Sequence, residues 1–333
     1  MAKLRIIILV SLLVCSAHLN DSSARLLPKQ KKESRPASKK TSLQNNIVEF
    51  DLTYDFSVPG ETHRISLTVV LPETIPDKQK IVSIHYSVKP SRIFRKNGNR
   101  YAEFTFEKPQ KRINIEVSIK AELFRYDLKT AKSKRGKNNI DNSELSAFIR
   151  HEKNIEKNHA KIQDIAGAIG GQKEEEIVKN IYDYVIDNME YIKQGRREWG
   201  AVKALQKGKG DCTEFSDLFV TLCRAKGIPA RTVSGYTLRP YSISQKHNWA
   251  EVYLNDYGWV PFDPSIKNGQ NIALRNRAFS TMSPVYIYFS NIRNDKALQN
   301  YHFASYTYWG DKVTLKDSID LKRSSYFIPK VSR

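Results

Sequence analysis

GKGDCTEFSDLFVTLCRAKGIPARTVSGY, residues 208–236, holds the strongest structural signal in the chain. Gly208 and Gly210 punctuate a turn that runs straight into an apolar repeat. Phe215, Leu218, Phe219, Leu222 and Cys223 fall at i, i+3, i+4, i+7 and i+8, the spacing of one buried helix face. Gly227 ends that helix, with Pro229 just beyond it. Cys212 therefore stands at a helix N-terminus, where unpaired backbone N–H groups and the positive dipole end favour a thiolate. A thiolate is the nucleophile that acyl transfer needs, and the same N–H groups suit an oxyanion. Cys223 lies inside the apolar stripe and reads as packing. The two thiols stand roughly 16 Å apart at 1.5 Å per helical residue, beyond the about 7 Å that a disulfide spans. Asp211 suits a helix cap better than a tuner of the thiolate, because a carboxylate there opposes deprotonation.

Downstream, Ala230–Tyr236 reads as a strand. HNWAEVYLNDYGWVPFDPS, residues 247–265, then alternates to a turn at Asn255–Gly258 and runs back. His247 and Asp263 are equidistant from Asn255, so an antiparallel hairpin brings them close, give or take a bulge. A His and a carboxylate on neighbouring strands, facing a helix-start Cys, make a Cys-His-Asp arrangement. In it the ring takes or holds the thiol proton and the carboxylate fixes its tautomer.

Each piece alone is a weak signal. Together and in this order, the two quoted stretches resemble the transglutaminase-like superfamily. The resemblance covers about Ile177–Ser265 and implies roles residue by residue: Cys212 as nucleophile, His247 as base, Asp263 as orienting acid. It also implies an α+β, papain-like fold, with the Cys helix packed on an antiparallel sheet. Asn248 stands where Ala is common in the family, a mild departure that leaves the triad intact. Trp199, ahead of Cys212, has two readings: a roof or oxyanion-hole element, or a core aromatic. Trp249 and Trp259 read most simply as core residues of the hairpin.

Working outward, Ile177, Ile181, Tyr184 and Val185 share one helical face, and Glu174, Glu175 and Glu176 place acids at that helix's start. A shorter helix is expected around Asn158–Ile169. From about Ile47 to Tyr126 the period is two, as in Ile65, Leu67, Val69 and Leu71 or Ile113, Ile115, Val117 and Ile119. Lys96-Asn97-Gly98-Asn99 signals a hairpin. These strands predict a small antiparallel β-sandwich without catalytic residues, an accessory domain at 46–128, ahead of a catalytic domain at 140–333. Beyond Ala278 the chain is Tyr-rich. Val285–Phe289, Phe303–Trp309 and Val313–Leu315 are expected as strands extending the catalytic sheet, with an aromatic wall along a substrate groove as the sharper reading.

At the other end, Lys3 and Arg5 precede an apolar run, Ile6–Val14, too short to span a bilayer. Residues 1–24 have the form of a secretory signal, with cleavage after Ala17 or Ala24; the rival reading makes Cys15 a lipid acceptor. Residues 25–45 are a basic linker. Lys+Arg 55 against Asp+Glu 35 gives a net charge of +20, so an anionic envelope polymer is a natural weak neighbour, and nucleic acid is not expected for an exported chain. His63, His85, His151, His159 and His302 lack metal-ligand spacing, and no glycine-rich phosphate loop occurs, so neither metal nor cofactor is expected. Two functions remain in view. One is an exported cysteine acyl-transfer enzyme (peptidase, amidase or transglutaminase) acting on a protein or peptide substrate. The alternative is a non-catalytic envelope binding or structural protein that keeps the fold.

Overall fold

Alternation on the early strands is realised as two facing sheets. In the computed structural model, described for residues 45–134, 142–193, 198–244, 246–266 and 269–326, Asn45–Ser57 buries Val48, Phe50, Leu52, Tyr54 and Phe56. Arg112–Phe124 answers it with Ile113, Ile115, Val117, Ile119, Ala121 and Leu123. These strands are antiparallel neighbours, with Leu52 opposite Val117. Gln79–Tyr86 continues this first sheet. The second sheet contains Thr62–Leu71, Asn99–Glu107 and Arg92–Lys96, and Lys96 pairs with Asn99 across the expected Asn97-Gly98 turn. Each fully buried aliphatic or aromatic side chain between the sheets contributes about 1.5–3 kcal/mol.

The expectation for the C-terminal strands needs correction. Tyr286–Ser290 does pair with the Ala230–Arg239 strand, which also pairs with the His247 strand. Ala304–Gly310, however, adds to Thr62–Leu71 in the sandwich, and Thr314–Ser324 adds to Asn45–Ser57. The physical reason is edge completion. Each sandwich sheet would otherwise leave a long strand unpaired on one side, and a returning strand satisfies that row of N–H and C=O groups. The sandwich core accordingly gathers Tyr236, Leu238, Ile287 and Phe289 from the sheet of the second half.

The second half is α+β. Ala230–Arg239, His247–Leu254 and Gly258–Phe262 form an antiparallel sheet, and the Cys helix, Cys212–Ala225, packs against the His247–Leu254 strand. Around that helix stand Ala160–Ala168, Glu174–Asn188 and Ala201–Lys207. Glu174–Asn188 buries Val178, Ile181, Tyr182, Val185 and Ile186. Its buried face is thus rotated slightly from the expected one, and Ile177 and Tyr184 lie at its margin.

Two buried polar ties join the halves. Lys78, from the sandwich side, forms an ion pair with Glu251, which Arg231 also engages at 2.7 Å. The Gln79 amide behaves like a strand partner, donating to the Tyr288 carbonyl at 2.9 Å and accepting from its N–H at 3.0 Å. Among the described residues, no helix is long and apolar enough to cross a membrane. The expected signal, Cys15 and nearly all of the basic linker fall outside the described residues.

Candidate active site

The Cys helix begins as its sequence requires. Asp211 caps it, its Oδ1 accepting the Thr213 N–H at 2.8 Å, while Glu214 reaches back to the Asp211 N–H at 3.2 Å in a reciprocal capping box. Gly210 makes room for this: a Cβ there would meet the Glu214 Cβ at 2.4 Å. Glu214 is 1% exposed and also accepts the Trp199 N–H at 3.0 Å. Burial pushes its carboxyl up to about 7, against the pull of the Trp199 bond. Cys212 is the first residue of the helix and is 9% exposed. Cys223, one strip further into the core, is fully buried, and burial pushes its thiol well up.

The hairpin register differs by one residue from the sequence estimate. Leu254 pairs with Gly258 and Ala250 with Phe262, so the turn centres on Asp256 rather than Asn255. Continued by one step, that register sets Asp263 opposite Trp249, making His247 its diagonal neighbour. The diagonal suffices: His247 Nε2 lies 2.8 Å from Asp263 Oδ2. The other ring nitrogen, Nδ1, is left free to face Cys212, one of the groups that raise the ring. On the paired strand, Gly235 stands opposite His247. It must stay bare, because a Cβ would lie 2.6 Å from the Trp249 ring and 2.0 Å from the Ile287 carbonyl.

Four hydrogen bonds converge on the Asp263 carboxylate. His247 and the Tyr286 hydroxyl donate to Oδ2, both at 2.8 Å; the Ser265 N–H and hydroxyl donate to Oδ1 at 3.0 and 2.8 Å. The Tyr182 hydroxyl donates to the Asp263 carbonyl at 2.9 Å. Burial opposes the charge on Asp263, yet His247, Ser265 and Tyr286 together hold its carboxyl below the usual range. Burial likewise opposes a charged His247, but the Asp263 charge and hydrogen bond, joined by the Cys212 bond, raise the ring to about 10. With a carboxylate behind it, the ring can exchange one proton with a neighbouring sulfur, thiol and imidazole becoming thiolate and imidazolium.

The three residues expected from sequence therefore meet. Sequence reasoning did not single out Tyr286, Tyr182 or Ser265; the Tyr-rich strand at 285–289 was the one signal pointing to an aromatic wall. Tyr191 was also missed. Its strand pairs beside Gly210, its ring lies 6.1 Å from Phe215, and it is 53% exposed. Trp199 is not a core aromatic: its half-buried indole faces the Lys203 and Lys207 ammonium groups at 5.7 and 5.1 Å. Trp249 is fully buried, whereas Trp259 is partly open under the Arg231 guanidinium at 3.9 Å. Among the described residues, no cluster of three His, Cys, Asp or Glu side chains could hold a metal ion.

Residues 163–264 match the core of the transglutaminase-like superfamily, a span containing Cys212, His247 and Asp263. An uncharacterized protein of Haemophilus influenzae is 25% identical over 259 residues, covering 66% of this chain and 68% of its own length. The uncharacterized protein YebA of Bacillus subtilis is 39% identical over 69 residues, a match to 17% of this chain and 9% of that relative, so the chain spans under a tenth of YebA. Among solved structures, a candidate cysteine protease from Cytophaga hutchinsonii superposes with a TM-score of 0.55 at 18% identity, covering 83% of this chain and 91% of its own. Residues 163–264 thus form a transglutaminase-like core, and the Cytophaga structure shares the fold.

Proposed function

We propose that this protein is an exported cysteine acyl-transfer enzyme, with Cys212 as nucleophile, His247 as general base and acid, and Asp263 as the group that orients the ring. The observation that carries this reading is the 2.8 Å bond from His247 to Asp263, with Cys212 the first residue of the helix packed on the His247 strand. A binding protein has no use for that alignment.

The chemistry follows from the donors present. The Cys212 sulfur attacks the carbonyl carbon of a carboxamide or peptide bond, and the C=O electron pair moves onto oxygen. The cap takes the Thr213 and Glu214 N–H groups, so the N–H of Cys212 itself is the helix-start donor aimed at that oxyanion. The imidazolium then gives its proton to the leaving nitrogen, and a thioester remains. Water resolves it to an acid; a protein amine resolves it to a cross-link. The sandwich, built from 46–128 and completed by the two final strands, serves the α+β core as an accessory domain. Export places the enzyme in a periplasmic or extracellular space, where its basic segments meet anionic polymers weakly.

Hydroxylamine trapping on a mixed glutamine- and amide-containing peptide pool tests the reaction. Wild type should yield hydroxamates, and Cys212→Ala should yield none. Equal yields from both would remove Cys212 from the mechanism. N-terminal sequencing of native material should begin after Ala17 or Ala24, or at a lipidated Cys15; intact Met1 would contradict export.

A further inference from the structure

Behind the reacting pair lies a closed ring of polar side chains. It starts on the Cys helix at Thr213, the residue after Cys212. Thr213 Oγ1 accepts a hydrogen bond of 2.8 Å from the amide of Asn248, the residue after His247. The Asn248 carbonyl oxygen in turn accepts from the Ser234 hydroxyl at 2.7 Å. Ser234 Oγ lies 2.9 Å from His302 Nδ1, and His302 Nε2 lies 2.5 Å from Glu198 Oε1. Arg293 bonds the other oxygen of Glu198 at 2.7 Å and grips Asp217 with two bonds of 2.8 and 3.0 Å. Asp217 is again on the Cys helix, one turn after Thr213.

Most of this ring is dry. Asn248 is 8% exposed, Ser234 2%, Asp217 0% and Arg293 5%. Buried polar groups of this kind hold one geometry because every alternative leaves a donor or acceptor unmatched. Burial opposes the charge on Glu198, but His302 and Arg293 hold its carboxyl down at about 2, so the ionic side of the ring persists at any ordinary pH.

The position of the first link is what matters. Thr213 and Asn248 are the immediate chain neighbours of the two residues that must meet, and one side-chain bond joins them across the gap between helix and strand. We infer that Asn248 is a positioning residue for the Cys212–His247 pair: bonded between Thr213 and Ser234, it sets the distance from sulfur to ring, and His302 and Arg293 hold that setting from behind. The inference rests on the Cys-His reading above. It gives Asn248, a departure from the family's common Ala, a function of its own.

The test reads Cys212 directly and needs no substrate. Iodoacetamide alkylation of Cys212 is followed by mass spectrometry from pH 5 to 10 in wild type, Asn248→Ala, Thr213→Val and the double variant, with melting temperatures recorded in parallel. Each single variant should lower the rate at pH 6–7 by about ten- to a hundredfold, the scale on which roughly 1 Å of misplacement acts. The profile should shift towards that of an unassisted thiol. The double variant should be no slower than the worse single variant, because both remove the same bond. Asn248→Asp, which still accepts from Ser234 and from the Thr213 hydroxyl, should recover part of the loss. If Asn248→Ala does not fold, Thr213→Val against wild type carries the comparison alone. Folded single variants with the wild-type profile, or losses that simply multiply in the double variant, overturn the inference. A wild-type Cys212 as slow as an ordinary thiol at pH 6 would instead sink the catalytic reading, a result separate from the variant-to-wild-type ratios.

Discussion

Replacing Asp263 by Asn probes the site at its most constrained atom. Asp263 Oδ1 accepts twice from Ser265, and Oδ2 accepts from His247 and Tyr286. An amide has one acceptor oxygen. If that oxygen keeps the Ser265 bonds, the NH₂ group faces His247 Nε2, which must then accept. The ring proton moves to Nδ1, the nitrogen facing Cys212, and the ring can no longer take the thiol proton. The size of the effect follows from the ring. His247 is raised from its ordinary 6.5 to about 10, with the Asp263 charge and hydrogen bond the main contributors working against burial. That difference corresponds to about 5 kcal/mol of preference for the charged ring. If Asp263 supplies about 3–4 kcal/mol of it, the imidazolium form falls by about 10²–10³ in Asp263→Asn. Alkylation of Cys212 should slow most, by up to that factor, between about pH 8 and 10, where the wild-type ring is still charged and the variant's is not. Stability carries the same signature. A ring held above its unfolded value stabilises the fold fully below pH 6.5, and that contribution fades as pH rises towards 10. The wild-type melting temperature should therefore decline over that window, and Asp263→Asn should flatten the decline. A folded Asp263→Asn protein with the wild-type alkylation profile would refute the orienting role. A variant that cannot fold would recast Asp263 as a turn residue beside Pro264.

Other outcomes can be checked more simply. In the folded wild type at pH 6–7, iodoacetamide should label Cys212 far faster than Cys223, since Cys223 is fully buried and its thiol is pushed well up; mass mapping that finds Cys223 labelled first would contradict this. Tyr286→Phe deletes one donor to Asp263 Oδ2 and should slow Cys212 alkylation at pH 6 by about three- to tenfold, as expected for a net hydrogen bond of about 1 kcal/mol; no change would show that His247 and Ser265 suffice. Glu251→Ala strips Lys78 and Arg231 of their shared, 1% exposed carboxylate and should cost about 3–5 kcal/mol in chemical denaturation; a loss under 1 kcal/mol would mean that the tie between sandwich and core is dispensable.

Local sequence chemistry determined a good deal of this protein. The helix under Cys212 was legible because its start, apolar spacing and stop are all encoded within sixteen residues, and its cap, Asp211, sits where the backbone N–H groups need it. The sandwich strands were legible because one buried face forces period two, and the His247–Asp263 hairpin because a short turn sets its own register to within a residue. Those signals also carried the resemblance that pointed to Cys212, His247 and Asp263. Tertiary structure decided the rest, wherever a partner lies far along the chain. Nothing near Tyr286 in sequence announces that its hydroxyl meets Asp263, and nothing near Asn248 announces Thr213 or the ring through His302. The apolar stripe foretold one buried face for the Cys helix, yet every residue from Cys212 to Arg224 is buried, and its charged Asp217 and Arg224 find their partners in distant Arg293 and Glu152. The two final strands join the sandwich for the same kind of reason. An alternating strand reports that it has a face to bury, but its edge hydrogen bonds are blind to sequence, and only the closed fold shows which open edge they complete.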